Sequence, residues 1–417
     1  MIIRKKAVIC TALSIIILSL IPLSVKLVTE NGAARSGTAV ENTDRPKSML
    51  GIWLSFYELS FKGLAKVEFE NKIDTMFAKI SELGLNTVFC HVRPSADAYY
   101  PSKLFPFSSY ITGTQGKDPG YDPLKHMVEA AQKNGLSFHA WINPYRIASF
   151  ISSPRQLAEN NIARIWLCDE SAENDSNIII INEPDGDKKS YYFNPASFDV
   201  QRLIVDGIKE ILDNYAVDGI HFDDYFYPST NPAVDSVSYE RYKASSPLPL
   251  SLEDWRRANV NCLLSTVHRL CRQRGKVFGV SPSAHISENK TDKNYCSQYA
   301  DIIKWISCTD YVDYIAPQLY FGYEYPTEKF RFQSLLKQWC DIQRSPTVKM
   351  YIGLAAYKIG TVDAESTEWL DCDDILARQL ADTSKHSLDG IIIYSYSSLF
   401  SNNTLNLKQR ENLKALF

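Results

Sequence analysis

Short apolar runs recur along most of the chain, and stretches with helical spacing separate them. Positions 51–56 read as a first strand. Positions 68–83 carry Phe69, Ile73, Met76, Phe77, Ile80 and Leu83 at helical spacing and stop at Gly84, as an amphipathic helix does. Further strand-like runs lie at 87–92, 137–142, 219–222, 277–281, 314–319, 349–354 and 390–394. Helices are predicted over 123–134, 197–215, 253–274, 300–307, 330–342 and 373–386. Short, continuously apolar strands belong to parallel sheets buried on both faces. Eight strand–helix cycles therefore predict an α/β fold, a (β/α)8 TIM barrel with inserted loops after strands three and four. In the first insertion, 177–181 and 190–193 flank Pro184-Asp185-Gly186-Asp187 and read as a hairpin. The alternative, an open doubly wound sheet, is disfavoured because no Gly-rich loop follows strand one. No short repeat is found.

The N-terminus stands outside this pattern. Arg4, Lys5 and Lys6 precede an apolar run over 7–25, which describes a signal peptide or an N-terminal membrane anchor. The expected division is 1–30 for that segment, 31–48 for a flexible linker and 49–417 for the barrel. The protein is thus expected to be exported: extracellular, cell-wall associated or anchored to the membrane, with membrane contact through this segment alone. A net charge of −3 offers no basic field for nucleic acid, and a monomer is expected. The cysteines beyond Cys10 form no C-x-x-C pair and no zinc spacing, and most read as buried thiols.

Barrel enzymes gather their chemistry at the C-terminal ends of the strands. The fourth strand ends most tellingly, in Asp218-Gly219-Ile220-His221-Phe222-Asp223-Asp224-Tyr225-Phe226-Tyr227-Pro228. Two consecutive acids open onto aromatics. That suits a carbohydrate site, where aromatic faces hold sugar rings and carboxylates move protons. Asp223 and Asp224 are the candidate catalytic residues. Adjacent strand residues face opposite ways, so Asp224 reaches the site only if the chain turns out of the strand there. Candidate substrate contacts on the same rim are Arg93, Asp97, Trp141, Asn143, Tyr145, Arg146, His221, Tyr225, Tyr227, Gln318, Tyr320 and Lys358.

Plainer readings stand beside these. The acids could pair with Arg93, Arg146 or Lys358; His221 could be a tautomer-fixed hydrogen-bond partner; Trp53 and Trp141 could be packing; Arg93 and Asp97 could form a structural ion pair. No cofactor and no metal are expected. A zinc-dependent deacetylase or amidohydrolase, built from His91, His139, His221 and His285 with Asp223, is the alternative enzyme, though no H-x-H or H-x-x-x-H pair is present. A non-catalytic glycan-binding barrel is the third reading.

Several segments carry a resemblance. Phe89-Cys90-His91-Val92-Arg93-Pro94-Ser95-Ala96-Asp97, Thr112-Gly113-Thr114-Gln115-Gly116, Pro119-Gly120-Tyr121-Asp122-Pro123, His139-Ala140-Trp141-Ile142-Asn143-Pro144-Tyr145-Arg146, the 218–228 stretch and Ile315-Ala316-Pro317-Gln318-Leu319-Tyr320 resemble the bacterial glycosyl hydrolase-like family 10 domain. This resemblance implies an α-amylase-like barrel and an exported enzyme acting on glycans, with peptidoglycan strands as the expected substrate. Cys90 and Ser283-Ala284-His285 depart from the family pattern. The paired acids are also similar to those of O-GlcNAcase-type hexosaminidases, which use the substrate's own acetamide as nucleophile. That similarity implies that Asp223 orients the acetamide and Asp224 is the acid/base in a substrate-assisted, retaining mechanism. An α-amylase comparison instead places a nucleophile at Asp223 and an acid glutamate after strand five. Positions 281–285 contain no glutamate, and Glu288 lies later.

Overall fold

The computed structural model describes residues 48–417 apart from 170, 185 and 387. The expected export segment and nearly all of the linker lie outside the described residues. In chain order the strands are β1 (Met49–Leu54), β2 (Thr87–Arg93), β3 (Ser137–Ile142), β4 (Arg146–Ile151), β5 (Ile178–Asn182), β6 (Lys189–Phe193), β7 (Gly219–Phe222), β8 (Val277–Val280), β9 (Tyr314–Ile315), β10 (Lys349–Ala355) and β11 (Gly390–Tyr394). Strands β1, β2, β3, β7, β8, β9, β10 and β11 close a barrel in that order, with β11 pairing back on β1. Every pairing is parallel. The (β/α)8 architecture expected from the pattern is the one found.

The helices between strands bury the faces that the spacing predicted. Helix Lys66–Leu83 buries Phe69, Ile73, Met76, Phe77, Ile80 and Leu83, and Gly84 closes it in the left-handed conformation, which costs glycine little. Strand six is shorter than the run 314–319: regular pairing stops at Ile315, and Gln318 makes only isolated bridges to Ser283 and Gly353. Pro317 lacks the N–H that a ladder needs.

The N-terminal ends of the strands hold an unforeseen regularity. Asn86 donates its backbone N–H to the Leu50 carbonyl at 2.9 Å and accepts the Leu50 N–H on its side chain at 3.0 Å. Asp218 does the same with Phe138, Asp313 with Phe278 and Asp389 with Met350, each side-chain bond being 2.8 Å. These residues precede the second, fourth, sixth and eighth barrel strands. A short polar side chain thus locks each even strand to the odd one before it. The local signal, an Asn or Asp just ahead of a strand, is too brief to read as a repeat.

Inside the barrel, Trp53, Phe89, Trp141, Tyr314, Ala316, Tyr351 and Ile392 form their own cluster. Rings this large fit because neighbouring positions are bare. A Cβ on Gly279 would lie 2.1 Å from the Tyr314 ring. The first insertion is a three-stranded antiparallel sheet, β4-β6-β5, rather than the expected hairpin alone. Strand β4 is a polar-interrupted stretch directly after β3, and its signal merges with the barrel strand's. The cysteine expectation also needs correction. Cys90 and Cys271 are buried, but Cys168, Cys262 and Cys296 are exposed and Cys308, Cys340 and Cys372 half-buried, all as free thiols.

Candidate active site

Strand β7 ends at Phe222, and the chain bends immediately. The Tyr225 N–H donates to Asp223 Oδ1 at 3.3 Å, and the Phe226 N–H donates to the Asp224 carbonyl at 3.2 Å. A side-chain acceptor two residues ahead is how an aspartate makes a turn. The bend takes Asp224 out of strand alternation, so both carboxylates face one pocket.

That pocket, about 260 Å³, is lined by Trp53, Trp141, Asp223, Asp224, Tyr225, Ser281, Gln318, Tyr320, Tyr357 and Tyr394. It opens at the C-terminal end of the barrel. Asp223 is 4% exposed. It accepts from the Trp141 indole N–H at 3.2 Å. The Asn143 amide also faces it: with nitrogen toward the acid it donates to the two oxygens at 2.8 and 3.2 Å, and with oxygen there it can accept from a protonated carboxyl. Burial, and next the neighbouring Asp224 charge, push the Asp223 carboxyl up to about 7, against the opposing pull of Arg146 and the Tyr225 and Trp141 hydrogen bonds. Asp224 has different company. Its Oδ2 accepts from Ser283 Oγ at 2.8 Å and from Gln298 Nε2 at 3.0 Å. Both partners are neutral.

Beneath the acids lies a buried aromatic floor. The Trp141 ring stacks on His91 at 3.9 Å and 5°. The Tyr314 hydroxyl sits 3.0 Å from Nδ1 of His221 and 3.0 Å from Nδ1 of His139. Burial holds His91 and His221 well below the usual imidazole range and brings His139 to about 3. All three are neutral at physiological pH.

A second groove, about 500 Å³, adjoins the pocket. Tyr225 borders both spaces, and Gln298, the Asp224 partner, lines the groove. Its other walls include Arg146 and Tyr192 from the inserted sheet and Lys293 from the loop after β8. Tyr227 lines it too.

Of the residues singled out in the sequence, Asp223, Asp224, Trp141, Tyr225, Gln318 and Tyr320 meet in the pocket, and Arg146, Tyr225 and Tyr227 meet in the groove. Asn143 is buried behind Asp223. The remaining five stand elsewhere. A register irregularity between His91 and Arg93 accompanies an Arg93 side chain directed away from the pocket. It is buried over the Phe105 ring at 4.4 Å, against Gly207. Asp97 is also buried outside the pocket, where it accepts from Gln115 at 3.2 Å, and no ion pair joins it to Arg93 among the described residues. Tyr145 is wholly buried. His221 lies in the floor, with both ring nitrogens engaged. Lys358 is paired with Asp363 at 2.6 Å.

The histidines raised as a zinc set do not converge. His91 stacks on Trp141, His139 and His221 face Tyr314, and His285 meets Gln338 at 2.9 Å. Among the described residues no group of three or more His, Cys, Asp or Glu could hold a metal ion. The acids do not pair with Arg93 or Lys358 either. Trp53, Ser281, Tyr357 and Tyr394 complete the pocket wall. Gln298 had no signal: it follows Asp224 by 74 residues, in a loop without periodicity.

The glycosyl hydrolase-like 10 family model matches residues 48–371. The glycosyl hydrolase YngK of Bacillus subtilis (strain 168) is 31% identical over 390 residues, 88% of this chain and 71% of that protein. The glycosyl hydrolase DigH of Escherichia coli (strain K12) is 31% identical over 369 residues, 82% of this chain and 81% of that protein. Among solved structures, the PgaB (BpsB) glycoside hydrolase domain from Bordetella bronchiseptica shares the fold, with a TM-score of 0.58 at 12% identity over 88% of this chain and 99% of that one. The catalytic domain of a β-amylase from Paenibacillus polymyxa does so with a TM-score of 0.54 at 10% identity, covering 89% and 99%. A family model spanning most of the chain, and relatives at this identity over most of both lengths, make this chain a member of the glycosyl hydrolase-like 10 family and, by reaction class, a glycoside hydrolase.

Proposed function

We propose that this enzyme hydrolyses an N-acetylhexosamine-containing strand such as peptidoglycan, outside the cytosol, using Asp223 and Asp224 in a substrate-assisted, retaining reaction. The observation that carries the reading is the placement of the two acids. Asp223 forms the enclosed floor with Trp141 and Asn143, while Asp224 is held by Gln298 at the junction of pocket and groove. A sugar in the pocket and its neighbour in the groove would bring the bond between them to Asp224.

In this reaction the acetamide oxygen attacks the anomeric carbon as Asp224 protonates the departing glycosidic oxygen, so the C–O bond breaks. Asp223 accepts a hydrogen bond from the acetamide N–H and stabilises the oxazolinium charge. Water then gives a proton to Asp224 and its oxygen to the anomeric carbon, which reopens the ring. The reactive form holds a single proton on the pair, with Asp223 charged, so kcat/KM falls at low pH, where both acids are protonated. The apolar run at 7–25 supports export and membrane or cell-wall association. Among the described residues no helix is long and apolar enough to cross a membrane.

The test is incubation of the purified protein with peptide-free and intact peptidoglycan, followed by mass spectrometry of products and inhibition by a thiazoline acetamide mimic. Shortened strands, inhibition by the mimic and their loss in Asp223→Asn and Asp224→Asn support the reading. Wild-type turnover in either variant, or a trapped glycosyl-enzyme, overturns it.

A further inference from the structure

Glu58 is a buried acid that the proposed reaction leaves unused. It lies in the turn after β1, is 8% exposed, and does not line the pocket that holds Asp223 and Asp224. Its carboxylate is nonetheless fully engaged. Oε2 accepts the Ser55 N–H at 2.8 Å and the Ser55 hydroxyl. Oε1 accepts the Ser397 hydroxyl at 2.9 Å, the Ser397 N–H at 3.3 Å and the Ser395 hydroxyl. An ionised carboxylate only accepts, at about four lone-pair sites, so donors fill this one from both sides. The two sides come from the first and last strands of the barrel. Strands β1 and β11 pair as far as Trp53 and Tyr394. Ser55 directly follows β1 and Ser395 directly follows β11. The Glu58 clasp therefore takes over where backbone pairing stops, and it joins positions 337 and 339 residues apart.

The last pair of that ladder is also pocket wall. Trp53 and Tyr394 both line the pocket, with ring centroids 6.3 Å apart. Tyr394 further meets Tyr320 at 5.9 Å and 24°, and Tyr357 at 5.8 Å and 78°. A shift of this one ring is thus felt across the aromatic wall. Burial, and next the Glu58 charge, push the Tyr394 hydroxyl up to about 12, which keeps it a phenol at physiological pH. From this arrangement we infer that Glu58 is a positioning residue: it sets the Trp53–Tyr394 wall on which the sugar rests, and so governs how tightly substrate is held rather than how fast the bond breaks. Asp223 and Asp224 draw their own hydrogen bonds from other residues. The inference rests on the reading of the pocket as the sugar site. Glutamine at this position would turn one acceptor oxygen into a donor. A serine hydroxyl can rotate to meet it, but the Ser55 and Ser397 N–H groups cannot. Whichever loop faced the amide nitrogen would have to move away, carrying Trp53 or Tyr394 with it.

The experiment measures kcat and KM on peptide-free peptidoglycan strands for the wild type, Glu58→Gln, Ser395→Ala and the double variant, beside melting temperatures. Glu58→Gln is expected to raise KM about tenfold and to leave kcat within about twofold. Ser395→Ala should raise KM less, and the double variant should be no worse than Glu58→Gln, because both substitutions act through one clasp. The Trp53 indole N–H, which donates to His221, reports on the wall without substrate. Its resonance in nitrogen-labelled protein should move in Glu58→Gln and, to a smaller extent, in Ser395→Ala. Should Glu58→Gln not fold, Ser395→Ala carries the same comparison. A lower melting temperature with KM and the indole resonance unchanged makes the clasp structural only and overturns the inference. A fall in kcat at constant KM overturns it as well. If the wild type cuts no strand, the proposed substrate falls instead, and the indole resonance decides Glu58 by itself: unmoved, the positioning role falls too; moved, it stands.

Discussion

The Trp53 indole N–H donates to His221 Nε2 at 3.1 Å. An indole can only donate, so this nitrogen of His221 carries no proton, and the ring holds its one proton on Nδ1. That proton points to the Tyr314 oxygen, which leaves the Tyr314 hydroxyl to donate to His139 Nδ1. The direction of every bond in the floor is therefore fixed by one tryptophan. His221 is expected to remain the Nδ1–H tautomer, without titrating, across about pH 5 to 8. Nitrogen NMR of labelled protein reads this directly. An imidazolium signal appearing near pH 6.5 would contradict the arrangement.

Asp223 should limit stability as well as activity. Its folded pKa lies near 7, above the ordinary carboxylate value of about 3.9. Between those values the folded state binds more protons than the unfolded chain, so this group makes stability fall as pH rises through that window. Asp223→Asn removes the buried charge and leaves Asn143 free to turn its oxygen toward the new amide. We expect the variant to melt higher than wild type at pH 8, by about 1–3 kcal/mol, with the gap shrinking toward pH 4. Turnover should drop by about 10³-fold or more. Melting curves at the two pH values and a rate measurement check both halves.

The two acids should be coupled in a defined direction. The Asp224 charge is the second cause of the high Asp223 pKa, after burial. Asp224→Asn should therefore move the Asp223 titration to lower pH, without bringing it to the ordinary value, because burial persists. Carbon NMR of the side-chain carboxyls measures the shift. No shift, or one to higher pH, would refute the coupling.

The locks at the opposite end of the barrel should be structural only. Removing the acceptor in Asp218→Ala strands the Phe138 N–H and is expected to cost about 1–2 kcal/mol. Asp218→Asn keeps an acceptor oxygen, as Asn86 does at its own position, and should cost much less. Neither should alter kcat. Chemical denaturation beside steady-state kinetics tests the separation.

Gly279→Ala offers a sharper test of the interior. Its Cβ would meet the Tyr314 ring at 2.1 Å, and the ring is enclosed. A loss of roughly 1–3 kcal/mol or more is expected, together with altered His139 and His221 resonances, because Tyr314 bridges them.

Much of this was legible in the chain, and the exceptions have causes. Strand order, helix faces and the acids at the end of β7 follow from periodicity and from alternation along a strand. Arg93 shows where that logic stops. Two residues after His91 it should share its face, but the irregularity between them breaks the alternation. Tyr145 and Lys358 sit near strand ends, yet adjacency in sequence does not fix which way a loop side chain turns. The role of Gln298 depends on a loop fold that no local pattern encodes. The even-strand locks were hidden for a different reason: each rests on one residue whose partner lies 35 to 80 positions away.

The neutral cradle of Asp224 has one more consequence. A hydroxyl such as that of Ser283 can donate or accept by simple rotation, and it need not move its oxygen to do so. An arginine in that place would grip only the anion and resist each return of the proton. In the acid/base role proposed for Asp224, Ser283 and Gln298 would keep its aim constant through the cycle.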